Sequence, residues 1–186
     1  MQIFIKNMVC NRCITAVEDV FRNSEIDFVS VNLGWVDIST EISKNQLEKL
    51  NENLKKIGFE ILEDASQKQI ESIKKLILEK VQNLDIDEDF LLSKYLSEQL
   101  NKEYSSISKV FSQTENITLE QYFILQKIEK VKELLIYREL TLSQIADKLG
   151  YKTVQHLSQQ FKKITGFSPS QFQELKEKKR LPIDLI

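Results

Sequence analysis

Two hydrophobic periods divide the chain, and the change between them falls near residue 64. From Gln2 to Met8 apolar and polar residues alternate, with Ile3, Ile5 and Met8 at near-strand spacing. From Cys13 to Ile26 the period becomes helical through Ile14, Val17, Val20 and Phe21. Phe28–Leu33 and Trp35–Ile38 are short β-branched or aromatic runs around Gly34, which predicts a hairpin. Leu47, Leu50, Leu54 and Ile57 then line a second amphipathic helix that Gly58 should end at C′, and Phe59–Leu62 reads as a last short strand.

Strand, helix, strand, strand, helix, strand is the split βαβ pattern, so residues 1–64 are expected to form an α+β, ferredoxin-like domain. Beyond Asp64 the strand signals stop. A linker helix is expected over 65–83, burying Ile70, Ile73, Ile77 and Val81 on one stripe. Acidic Asp85–Asp89 reads as a solvated loop and cap leading into the next helix. Residues 84–186 are then expected to be all-α, and they contain an internal repeat. Leu96, Ile107, Phe111, Ile117 and Tyr122 reappear 50 residues later as Ala146, Leu157, Phe161, Phe167 and Phe172. Each copy reads as two short helices with a turn between them. A longer helix, about Leu119 to Arg138, joins the copies through Tyr122, Leu125, Ile128, Val131 and Leu135.

Composition narrows the classes. Hydrophobic residues make up 41% and charged residues 29% of the 186, enough for a packed core and unlike a disordered chain. With 4 Gly and 2 Pro, the composition argues against a sandwich or barrel of many short strands. Two cysteines cannot staple a secreted scaffold, and no signal peptide or apolar run of about 20 residues is visible. A cytoplasmic chain without membrane partners is expected. The net charge of −2 argues against a general coat of nucleic acid, but Lys148–Arg180 holds eight cations against two carboxylates. Absent too are a Ser/His/Asp set, a phosphate-binding Gly loop and an HExxH motif, so no enzyme is expected.

In the second copy, Leu142–Leu149 reads as a short helix ending at Gly150, and Ala146 is small enough for a second helix to cross closely. Thr153 can cap that second helix. With Leu157 and Phe161 turned inward, Gln155, His156 and Gln159 face outward, as on a helix that enters the major groove, where Gln can pair bidentately with adenine. The run Leu157-x-x-x-Phe161-Lys162-Lys163-x-x-Gly166-Phe167-Ser168-Pro169-x-x-Phe172 resembles the C-terminal signature of AraC/XylS-type transcription regulators, over roughly Leu84 to Arg180. The resemblance implies two helix-turn-helix units that read successive major grooves of double-stranded DNA, with RNA polymerase as a further candidate partner. It implies phosphate contacts from Lys162 and Lys163. In the first copy Leu100 or Asn101 stands at the turn glycine and Asn116 at the position of Gly166. Its expected reading face, Ser105, Ser106, Ser108 and Lys109, is short and polar and suits backbone positioning more than base discrimination. The large apolar residues of both copies are expected to be core.

Met8-Val9-Cys10-Asn11-Arg12-Cys13, between the first strand and helix, resembles the Met-x-Cys-x-x-Cys loop of the heavy-metal-associated domain, as does Gly58-Phe59 before the last strand. Asn7 stands where that family carries a glycine. The resemblance implies Cu(I) or another soft ion held by Cys10 and Cys13, and two thiolates at this spacing can face one such ion. Beside Arg12 at a helix start, Cys13 is expected to have a lowered pKa. The alternatives are idle thiols in a retained fold, and a thioredoxin-like redox pair, disfavoured because no proline precedes Pro169. A regulator with a metal-sensing or partner-binding first domain is thus weighed against a Cu(I) carrier or sequestering protein.

Overall fold

Alternation over Gln2–Lys6 gives strand β1, whose Ile3 and Ile5 turn inward and are buried. The computed structural model describes residues 1–62 and 64–175, with the backbone alone at Ala65. Lys176–Arg180, part of the basic segment, therefore lies outside the described residues. The chain divides into two compact units, Met1–Lys75 and Leu76–Ile186, and the division falls inside α3 (Ala65–Asn83), the helix expected over 65–83.

The first unit continues with α1 (Asn11–Asn23), β2 (Phe28–Asn32), β3 (Trp35–Ile38), α2 (Lys44–Lys55) and β4 (Glu60–Leu62). The strands form one antiparallel sheet in the order β2-β3-β1-β4. Ile3 lies opposite Val36 and Ile5 opposite Ile61. Because side chains alternate between faces, one face gathers Ile3, Ile5, Val36 and Ile38 against Val17 and Phe21 of α1 and Leu50 and Leu54 of α2. On the other face, the Lys68 ammonium lies 4.9 Å from the Phe4 ring and that of Lys75 4.1 Å from the Trp35 ring. Two expectations change at element ends. The first strand stops at Lys6 because Asn7 is left-handed (φ +71°). Helix α2 stops at Lys55, which leaves Ile57 exposed rather than on the buried stripe.

In the second unit follow α4 (Leu92–Leu100), α5 (Tyr104–Glu115), α6 (Leu119–Tyr137), α7 (Leu142–Lys148), α8 (Val154–Thr165) and α9 (Pro169–Glu174). The repeat of 50 extends to the helices: α5 and α8 match at both ends, and α4/α7 and α6/α9 match at their starts. Leu96/Ala146, Ile107/Leu157, Phe111/Phe161 and Tyr122/Phe172 are all buried. The ring pairs repeat as well, Phe111–Tyr122 at 5.4 Å and Phe161–Phe172 at 5.5 Å. The fifth pair breaks the pattern. Ile117 is half-buried and Phe167 is 43% exposed, against the expectation that it is core. Phe167 sits in the connector after α8, where its backbone N–H donates to Thr165 Oγ1 and its carbonyl accepts from the same hydroxyl.

Helix α6 is buried around most of its circumference, carrying Ile128 and Val131 in the core together with buried Lys127, Glu129, Lys130 and Lys132. Lys132 pairs with Glu129, and Lys130 with Glu133 (2.8 Å) and Gln82 (2.7 Å), so Glu129, Lys130 and Lys132 keep hydrogen-bonded partners. Asp85–Asp89 is a loop as expected, but it caps no helix: α4 starts later, with Leu91 at the N-cap and no side-chain bond there. Instead Ile86 is buried in the loop, forms a parallel bridge with Leu149, and donates its N–H to the Lys148 carbonyl (3.2 Å). Among the described residues no helix is long and apolar enough to cross a membrane.

Candidate nucleic-acid interface

Helix α7 begins on a capping box, in which Thr141 Oγ1 accepts from Gln144 N–H and the Gln144 side chain accepts from Thr141 N–H. It ends within two turns, and Gly150 takes φ +67° just beyond it. A Cβ there would stand 2.6 Å from the Asp87 carbonyl oxygen and 2.7 Å from Ile86 Cγ2. Only glycine serves both the backbone and the space. Next, Tyr151 is buried: its hydroxyl donates to Gln160 Oε1 (2.6 Å), its ring meets the His156 ring edge-on at 5.5 Å, and the Lys127 ammonium lies 3.8 Å from its centroid. Burial pushes the Tyr151 phenol up and brings the Lys127 ammonium down to about 8.

Thr153 then starts α8 as expected, its Oγ1 accepting from the His156 N–H at 3.0 Å. Leu157 and Phe161 are fully buried and fix the phase of the helix. Gln155, His156, Gln159, Lys162 and Lys163 are all exposed. The last two occupy the final turn, where positive charge also suits the helix dipole. Gly166 ends the helix at φ +82°.

The first copy repeats this frame with different chemistry. Ile107 and Phe111 of α5 are buried, and Ser105, Ser106 and Lys109 are exposed at the register of Gln155, His156 and Gln159. Ser108 is half-buried, not part of the outer row. Helix α5 starts at Glu103 with no side-chain cap. Asn116 (φ +57°) takes the left-handed position of Gly166, and Asn101 (φ +50°) turns the chain one residue later than the register of Gly150. Gln113, exposed at the register of Lys163, is a face residue that sequence reasoning missed, although the offset of 50 points to it.

Residues 96–175 match the helix-turn-helix domain family. They are an AraC-type helix-turn-helix domain. The chain is 28% identical over 107 residues to a probable transcriptional regulator, LumQ, of Photobacterium leiognathi, covering 50% of this chain and 42% of that protein. It is 25% identical over 79 residues to the Msm operon regulatory protein of Streptococcus mutans, covering 42% of this chain and 28% of that one. The chain thus spans less than half the length of these relatives. Among solved structures, the C-terminal domain of the two-component response regulator yesN from Fusobacterium nucleatum is similar at 30% identity, covering 55% of this chain and 99% of that one with a TM-score of 0.48.

Outside the AraC-type domain, Cys10 is the exposed N-cap residue of α1 and Cys13 lies half-buried in its first turn, with the sulfurs 3.6 Å apart. Asn7 supplies the left-handed turn of the preceding loop and closes it, donating from Nδ2 to the Gly58 carbonyl (2.9 Å). Met8 is buried in the core. The expected lowering of the Cys13 pKa is reversed. Burial and the neighbouring Cys10 sulfur push Cys13 up, outweighing the backbone N–H bonds that favour its thiolate. At Cys10 burial works upward too, but hydrogen bonds from the Cys13 and Arg12 segment and the Arg12 charge prevail, so its pKa falls. Among the described residues no three His, Cys, Asp or Glu side chains gather to hold a metal ion.

Proposed function

We propose that this chain is a DNA-binding transcription regulator acting in the cytoplasm, not an enzyme, whose α4–α5 and α7–α8 units address successive major grooves of double-stranded DNA. The observation that carries it is the outer face of α8, where Gln155, His156 and Gln159 are exposed opposite buried Leu157 and Phe161. Names given to the relatives, a transcriptional regulator and an operon regulatory protein, support the same reading. In it Gln155, His156 and Gln159 contact base edges and Lys162 and Lys163 contact phosphate. Ser105, Ser106 and Lys109 place the first unit on the backbone. Residues 84–186 serve as the DNA-binding domain, and RNA polymerase is the partner through which a bound regulator acts on transcription. Titrating a fluorescent duplex at rising salt tests this: the logarithm of the affinity falls linearly with log salt if the basic face meets phosphate. No binding at low salt contradicts it.

For residues 1–64 we propose a ferredoxin-like domain, supported by the element order and the β2-β3-β1-β4 sheet. A soft-metal role is favoured by one observation, the sulfurs of Cys10 and Cys13 facing each other at 3.6 Å at the start of α1, with Cys10 exposed and Cys13 half-buried. Either cysteine as Ser should then lower Cu(I) affinity in a competition titration. Equal affinity of wild type and Cys10→Ser contradicts that role, and tight Cu(I) binding without duplex binding favours a metal carrier over a regulator.

A further inference from the structure

We propose that Cys10 and Cys13 form a thiol–disulfide exchange site for low-molecular-weight disulfides such as glutathione disulfide, Cys10 attacking and Cys13 resolving. This goes beyond the DNA-binding reading and does not depend on it. Three observations carry it. The sulfurs are 3.6 Å apart, and rotation about the side-chain bonds spans the remaining gap to a bond of about 2.05 Å. The two thiols differ in access: Cys10 is exposed and Cys13 half-buried, so a disulfide arriving from solvent meets Cys10 first. The turn that pairs them is held by the backbone, with Cys13 N–H donating to the Cys10 carbonyl at 2.9 Å and Asn7 tying the loop to Gly58.

The chemistry balances in two displacements. Cys10 gives its proton to solvent, and its sulfur attacks one sulfur of RS–SR. The S–S bond breaks, RS⁻ leaves and takes up a proton, and a mixed disulfide remains on Cys10. Cys13 then gives its proton to solvent and attacks the Cys10 sulfur, expelling the second RS⁻. Two protein thiols are oxidised to one disulfide, and one RS–SR is reduced to two RSH. The thioredoxin comparison that the sequence disfavoured concerns a different fold, and this step needs no proline.

Because the chain holds only these 2 cysteines, the intact protein gives a clean readout. Full-length wild type, Cys10→Ser and Cys13→Ser are exposed to glutathione disulfide, quenched with acid and weighed by mass spectrometry, with circular dichroism confirming that each is folded. Wild type should lose two hydrogens, retain no glutathione and form no disulfide-linked dimer. Cys13→Ser should stop at one bound glutathione, and Cys10→Ser should react about tenfold more slowly because its remaining thiol is sheltered. Glutathione retained on wild type, disulfide-linked dimers, no reaction, or equal rates for the two variants would each overturn the proposal.

Discussion

Gln159 tests the reading face residue by residue, because it is exposed on α8 while its neighbours Leu157 and Phe161 hold the helix in place. Gln159→Ala should weaken binding to the preferred duplex by about 1–3 kcal/mol and relax selection at one base pair. Lys162→Ala should instead weaken all duplexes alike and reduce the salt slope by about 1. A titration series on matched and mismatched duplexes separates the two. Lys127 gives a pH prediction. Burial brings its pKa down to about 8 from 10.5, so between those values the unfolded chain binds more protons than the folded one. Relative to Lys127→Met, stability should therefore rise across that window by up to about 1.4 kcal/mol per pH unit, and the difference between the two should not change with pH below it. Urea unfolding at several pH values checks the sign. Single residues were legible where a neighbour set the phase, as at Gln155 and Gln159. The Cys13 thiol was not, because its shift depends on burial and on the nearby Cys10 sulfur, neither of which spacing reveals.

At the scale of elements, helix identity followed from the apolar period, and helix ends followed from local chemistry. Capping boxes at Ser43/Gln46, Thr118/Gln121, Thr141/Gln144 and Ser168/Gln171 start four of the described helices. Their Ser/Thr-x-x-Gln spacing stands in the sequence, and two of them lie 50 residues apart in the repeat. The termination of α2 at Lys55 was less legible, since Ile57 keeps the apolar spacing after the helix has ended. The role of Asp85–Asp89 was hidden for another reason: Ile86 is recruited by Leu149, far along the chain. That contact makes Gly150 irreplaceable. Gly150→Ala adds a Cβ clash with backbone to an unfavourable φ and should destabilise by about 2–4 kcal/mol. Gly166→Ala, which meets no atom within 4 Å, carries the φ cost alone, about 1–2 kcal/mol. Equal losses in denaturant melts would remove the packing argument.

For the whole molecule, the net charge of −2 is the least informative summary, because it averages a basic segment with an acidic remainder. The repeat of 50 is the most informative, since it carries the cores of both helix-turn-helix units while their outer faces diverge from serine and lysine to glutamine and histidine. Shared frame with different faces is what two contacts of unequal base discrimination require. Selection of duplexes from a random pool, run in parallel with wild type and Gln159→Ala, tests that claim most directly. Wild type should enrich one motif whose best-defined block is read by α8, with a weaker block about one helical turn away, and Gln159→Ala should lose definition inside the strong block alone. Enrichment of no sequence, or an unchanged motif for Gln159→Ala, would contradict the account.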